Sequence, residues 1–226
     1  MTILYSNGCS FTDWRYIPRE HRYPVIIGER MNWSVHDRGL PGSCNSRIIR
    51  TTIRDCCALL DKHEPVVALI QLTFLDRYEY PGQATADNRW KYENGDLFES
   101  VTPGQYSTEE SEVVRSWARS SLLLHNDEAA YLQLFASIIG LVGFFRQHSI
   151  RYYIYMGPAQ NNIFEPTVGS KFEPTDLYRY LNKDPGVLDL LTFNMLALTG
   201  KQTHPDHAGM IKIADYFCEL LKSDQR

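Results

Sequence analysis

Pro65-Val-Val-Ala-Leu-Ile-Gln-Leu72, PVVALIQL at positions 65–72, is the stretch on which the fold turns. Proline cannot continue the helical pattern before it, and Val66 to Leu72 is a continuous apolar, valine- and isoleucine-bearing run broken only by Gln71. A strand with one wet face alternates. A run that does not alternate is buried on both faces, as a central strand of a helix-covered parallel sheet is.

Working outward, the pattern alternates. Ser43 to Lys62 predicts a long helix, with Ile48, Ile49, Ile53, Cys56, Cys57, Leu59 and Leu60 on one apolar face. Before it, Thr2 to Ser6 reads as a first strand, His21 to Met31 as a short helix and Trp33 to Val35 as a second strand, closed by the glycine-rich loop Asp37–Gly42. After it come a helix over Ala129–Gln147 with Leu132, Phe135, Ile139, Val142 and Phe145 inward, a fourth strand at Arg151–Met156, and an amphipathic helix over Asp206–Lys222. A fifth strand falls near Leu188–Thr192 without fixed bounds. This order predicts a three-layer, doubly wound α/β sandwich with a mainly parallel sheet, a single domain over residues 1–226. Residues 77–126 form an insertion after the third strand. It lacks clean periodicity but holds Tyr78, Tyr80, Trp90, Tyr92, Phe98, Tyr106 and Trp117, at the sheet edge where such folds bind ligands.

Bulk chemistry narrows the function. The 226 residues carry a net charge of -4 with acids and bases intermixed, so neither a nucleic-acid track nor an anionic-membrane surface is expected. Thr2–Tyr5 is too short for the apolar stretch of a signal peptide and has no basic segment before it, so none is expected, and the apolar runs are shorter than a membrane span. Five cysteines, an odd number, do not make a disulfide framework, and a reducing, cytoplasmic setting is the expectation. His204 and His207 stand three apart without further ligands, so no metal and no organic cofactor is expected.

The loops after the strands should converge on one edge: Asn7–Thr12, Arg38–Asn45, Thr73–Glu79 and, before the last helix, Thr199–Asp206. In Asn7-Gly-Cys-Ser-Phe-Thr-Asp-Trp14 two readings stand: a plain tight turn, or an elbow that lifts the Ser10 hydroxyl to the rim of the sheet. His204-Pro205 at the head of the final helix favours the elbow, since a serine, a histidine and glycine loops meeting there can perform acyl transfer. Cys9 and Cys44 tempt a thiol chemistry but read as buried, inert side chains. Asp206 is a helix-start acid or an acid orienting His204. Arg77 and Glu79 either bind a polar substrate or pair with each other. Asn161-Asn162 is a loop tip or a pair of sugar-binding amides, with the loop tip ahead.

In order, these four loops resemble the sequence blocks of the SGNH/GDSL hydrolases, and Gly-Cys-Ser-Phe-Thr followed by Pro-Gly-Ser-Cys-Asn-Ser-Arg-Ile resembles a divergent subgroup common in phage genomes. The resemblance implies Ser10 as nucleophile and His204 as base, with the N–H groups of Ser10 and Gly42 as oxyanion donors. Two family positions differ: the block-three asparagine falls on Leu75, and the acid three before the histidine on Lys201. Asn45, three after Gly42, is a candidate replacement oxyanion donor. The function expected is hydrolysis of small acyl esters, O-acetyl groups foremost, on a small molecule or carbohydrate. A transferase would use the same pair. The rival is an inactive binding or assembly protein on the same scaffold. Oligomeric state is not legible.

Overall fold

The computed structural model describes residues 1–13, 16–81, 98–101, 112–157, 176–190, 193, 195–200 and 204–223. Strand β1 (Ile3–Asn7) leads through a 3-10 turn (Arg19–His21) to helix α1 (Tyr23–Met31), and β2 (Ser34–Asp37) to α2 (Asn45–Leu60). After β3 (Val66–Leu72) come β4 (Tyr78–Pro81) and β5 (Phe98–Val101), then α3 (Glu112–Leu123), α4 (Asp127–Gln147) and β6 (Arg151–Met156). The chain continues through α5 (Asp176–Leu181), α6 (Met195–Thr199) and α7 (His207–Ser223).

The boundaries follow local chemistry. Pro24 sits in the first turn of α1, where its missing N–H costs nothing, and Asn32 ends the helix in the left-handed region at φ 55°. Asn126 caps α4 by accepting the Ala129 N–H at 3.0 Å. The Cys44 sulfur plays the same part for α2, taking the Arg47 N–H at 3.5 Å.

The main sheet has the order β2-β1-β3-β6, every pair parallel. Beyond β6, Val187 makes a parallel bridge with Ile154, next to the expected fifth strand, of which residues 191 and 192 lie outside the described residues. All seven residues of β3 are buried, as PVVALIQL requires of a central strand. Helices cover both faces. Tyr5, Ala68, Ile70, Leu72 and Ile154 pack under α2, α4 and α5, whereas Leu4, Val67, Leu69, Tyr153 and Tyr155 pack under α1 and α7. The architecture is thus the three-layer, doubly wound α/β sandwich.

Two helix faces differ from the sequence reading. The core face of α4 is Tyr131, Leu134, Phe135, Ile138, Leu141, Val142 and Phe145, while Leu132 stays 38% exposed. Apolar residues surround this helix almost completely, so composition alone left its rotation undecided. By length and hydropathy α4 resembles a membrane span, yet this face is packed on the sheet. On α2, Cys57 is exposed, one residue out of step with Cys56 in the core. The insertion contains an antiparallel pair, β4 with β5, and α3; four-residue strands are too short to show alternation in sequence. Tyr78 ties this region to α4: its hydroxyl bonds His125 Nδ1, whose Nε2 meets Asp127 Oδ1 at 2.5 Å, and its ring lies edge-on to Trp117 at 6.0 Å. Trp90, Tyr92 and Tyr106 lie outside the described residues, as do Asn161 and Asn162.

Candidate active site

The chain leaves β1 at Asn7, whose buried side-chain amide anchors the loop to α2. Its Nδ2 donates to Ile48 O, Thr51 Oγ1 and Thr52 Oγ1 at 2.8–3.0 Å, and its Oδ1 accepts the Gly8 N–H at 2.9 Å. A tight turn follows, with the N–H groups of Thr12 and Asp13 both on Cys9 O. Gln71, fully buried in β3, holds the inner side of this turn. Its Oε1 accepts from the Cys9 N–H at 2.9 Å and from Thr12 Oγ1 at 3.1 Å. From Thr12 the bonds run on through Tyr23 to Tyr155. A Cβ on Gly8 would stand 2.6 Å from Gln71 Oε1, so this close approach requires glycine. Cys9 packs in the core.

Held in this way, Ser10 is 6% exposed and its Oγ lies 2.7 Å from Nε2 of His204. The imidazole is half-buried and stacks on Phe11, with ring centroids 4.7 Å apart and planes 14° from parallel. Burial, and after it the nearby positive charge of Arg77, holds the His204 pKa below its ordinary 6.5. Asp206 caps α7: its Oδ1 accepts the Gly209 N–H at 2.9 Å, the helix-start part among its two expected readings. Lys201 lies outside the described residues. His207 is exposed and stacks on His21 at 4.0 Å.

The second loop brings Gly42 up with φ +83°, a left-handed turn that favours glycine, and open space where a Cβ would be. Asn45, at the start of α2, joins this loop to the one after β3. Its side chain pairs with the Thr73 backbone, Oδ1 accepting the N–H at 2.8 Å and Nδ2 donating to the carbonyl at 3.1 Å, with Phe74 O a weaker acceptor at 3.4 Å. The amide that sequence spacing offered as a third oxyanion donor also clamps the loop after β3, a part that no spacing rule reveals. Leu75, which the sequence resemblance sets against an oxyanion asparagine, is buried in the core.

Arg77 and Glu79 do not pair with each other. Glu79 takes Arg50 instead, at 2.8 Å from Nη2 and 3.4 Å from Nε. Arg77 lies over the Phe74 ring, 4.9 Å from its centroid, and its Nη1 donates to Ser43 O at 3.3 Å. Both charged groups line a cleft of about 630 Å³, walled by Asn45, Ser46, Leu75, Tyr78 and the Gln133–Ser137 side of α4. Among the described residues no group of three or more His, Cys, Asp or Glu could hold a metal ion. Sequence reasoning missed Gln71 and Arg50. A lone amide inside an apolar strand was the available signal for the first, and none marked the second.

No protein-family model matches the sequence, and no curated protein matches it. Solved structures do. The psychrotrophic esterase EstA from Pseudoalteromonas, solved inhibited by monoethylphosphonate, aligns at a TM-score of 0.52 and 13% identity over 99% of this chain and 98% of its own. A protein assigned to the lipolytic G-D-S-L family from Desulfitobacterium hafniense aligns at 0.50 and 14% identity, over 97% of this chain and 99% of its own. TesA aligns at 0.50 and 11% identity, over 98% and 99%. At such identities the likeness is one of fold.

Proposed function

We propose that this chain is a serine esterase of the SGNH type, acting on small acyl esters, O-acetyl esters foremost, with a carbohydrate or other polar alcohol as leaving group. The observation that carries this reading is the 2.7 Å contact of Ser10 Oγ with His204 Nε2. It stands at the carboxyl ends of β1 and β3, where the strand order reverses and such sheets take their ligands. Neutral His204 accepts the Ser10 proton as Oγ attacks the ester carbonyl and returns it to the departing alcohol. Water, deprotonated by the same ring, then cleaves the acyl-Ser10 ester, releasing the acid and restoring the hydroxyl. The Ser10 and Gly42 N–H groups hold the tetrahedral oxyanion. The lowered pKa of His204 keeps it neutral, and so basic, at neutral pH. Fold likeness to an esterase and a G-D-S-L protein supports the same chemistry.

The test is hydrolysis of a short-chain acetyl ester by wild type, Ser10→Ala and His204→Ala, with folding checked by circular dichroism. Each substitution is expected to remove about a thousandfold or more of the rate, as loss of an acting nucleophile or base does. A phosphonate ester should mark Ser10 by mass spectrometry in the wild type and leave Ser10→Ala unmodified. One observation favours a second reading, a binding protein on this scaffold: Leu75, which the sequence resemblance sets against an oxyanion asparagine, is buried in the core, and the Asn45 amide is engaged by Thr73. Equal, background-level hydrolysis in all three proteins with no phosphonate adduct would select it.

A further inference from the structure

We infer that Arg77 recognises an anionic oxygen group, carboxylate or phosphate, on the ester attacked by Ser10, a role that rests on the hydrolytic reading above. Three rings lead from the dyad to this cation. Phe11 stacks on His204 at 4.7 Å, Phe74 stands 6.4 Å from Phe11, and the Arg77 guanidinium covers Phe74 at 4.9 Å. On its other side Arg77 reaches Ser43 O, one residue past Gly42, so the same guanidinium touches the loops of both β2 and β3.

A guanidinium has five N–H donors in a planar fork. Here one is used, at the long distance of 3.3 Å, and Nε is buried with no acceptor among the described residues. No carboxylate among the described residues neutralises the charge. Glu79, the acid lining the same cleft, is held by two nitrogens of Arg50. Elsewhere Arg22, Arg38 and Arg146 each sit on an aspartate. The cleft therefore carries one positive charge beyond its internal pair, next to polar Ser46, Gln133 and Ser137. A half-buried guanidinium with donors to spare matches the two oxygens of a carboxylate or phosphate, and a neutral ester leaves it unanswered.

Two ester pairs test the role. One compares p-nitrophenyl hydrogen glutarate with p-nitrophenyl pentanoate, placing the anion on the acyl side. The other compares acetylated glycerol phosphate with acetylated glycerol, placing it on the alcohol side. Wild type is expected to favour one anionic ester over its neutral match by roughly 10- to 100-fold in kcat/KM, the yield of a charge-assisted hydrogen bond. The arm that responds identifies the group. The ratio should fall to near one in Arg77→Gln and survive in part in Arg77→Lys. A ratio near one in the wild type for both pairs, or an undiminished ratio in Arg77→Gln, overturns the role while leaving the esterase intact. Calorimetric titration of Ser10→Ala with monomethyl glutarate and with glycerol phosphate separates the two ideas. Should the wild type hydrolyse nothing, binding of either anion that Arg77→Gln abolishes keeps the site and discards the esterase; no such binding discards both.

Discussion

His204 serves as a base in the proposed reaction only while its ring is neutral, so its surroundings set the acid limb of the rate. Burial acts first and Arg77 second, and both disfavour the imidazolium. The fall of kcat/KM on acidification is therefore expected below the ordinary imidazole value of 6.5. Replacing Arg77 by Gln removes the like-charge part and leaves the burial, so the limb should move to higher pH without passing that value. A pH–rate profile on one neutral ester reads both, and an unmoved limb in Arg77→Gln would show that the guanidinium does not act on the ring. At this scale the sequence was informative where short motifs carry chemistry: Ser10 and His204, 194 positions apart, do meet. It was silent on the partner of the Asn45 amide, the backbone of a loop whose path depends on the whole sheet.

Between residue and fold stands the problem of holding the Ser10 turn still, and β3 solves it with Gln71. That side chain binds the turn at Cys9 and Thr12, and glycines flank it: a Cβ on Gly157 would lie 2.6 Å from Gln71 Cδ. Gly157→Ala should push the amide off these bonds and displace Ser10 with it. A loss of about 100-fold in kcat is expected, since misplacements near 1 Å cost that much. Gly140→Ala, on the exposed side of α4 with nothing within 4 Å of the new Cβ, should keep full kcat and gain roughly 0.5–1 kcal/mol of stability. Equal kcat in both variants would deny Gln71 its positioning role. Elements with strong patterns were legible, β6 over Arg151–Met156 and β3 over Val66–Leu72 to the residue. The β4–β5 pair was not, since four residues rich in aromatics and charges fit loop and strand equally.

Across the whole molecule, the order β2-β1-β3-β6 with every pair parallel puts the loops of the site on one rim, and the same loops bury the polar side chains of Asn7, Ser10, Thr12, Ser43, Asn45 and Thr73. Asp37, the last residue of edge strand β2, leads into the second of these loops. Burial pushes its carboxyl from 3.8 up to about 6; the Gly39 N–H at 3.1 Å opposes this, Asp13 adds to it, and Arg22 and Arg19 act against it. The sign follows from proton counting. Unfolded, the group releases its proton near 3.8, but folded it keeps it to about 6, so through that window the folded chain binds more protons and its stability falls as pH rises. Above the window the charged carboxylate works against folding in full. Asp37→Asn keeps an oxygen for the Gly39 N–H and carries no charge, so it should raise Tm at about pH 7 and confer almost nothing at about pH 4. Melting curves of both proteins across this range decide the matter. A variant less stable than wild type at neutral pH would mean that attraction to Arg22 and Arg19 outweighs the burial, and that the rim is held together by charge rather than strained by it.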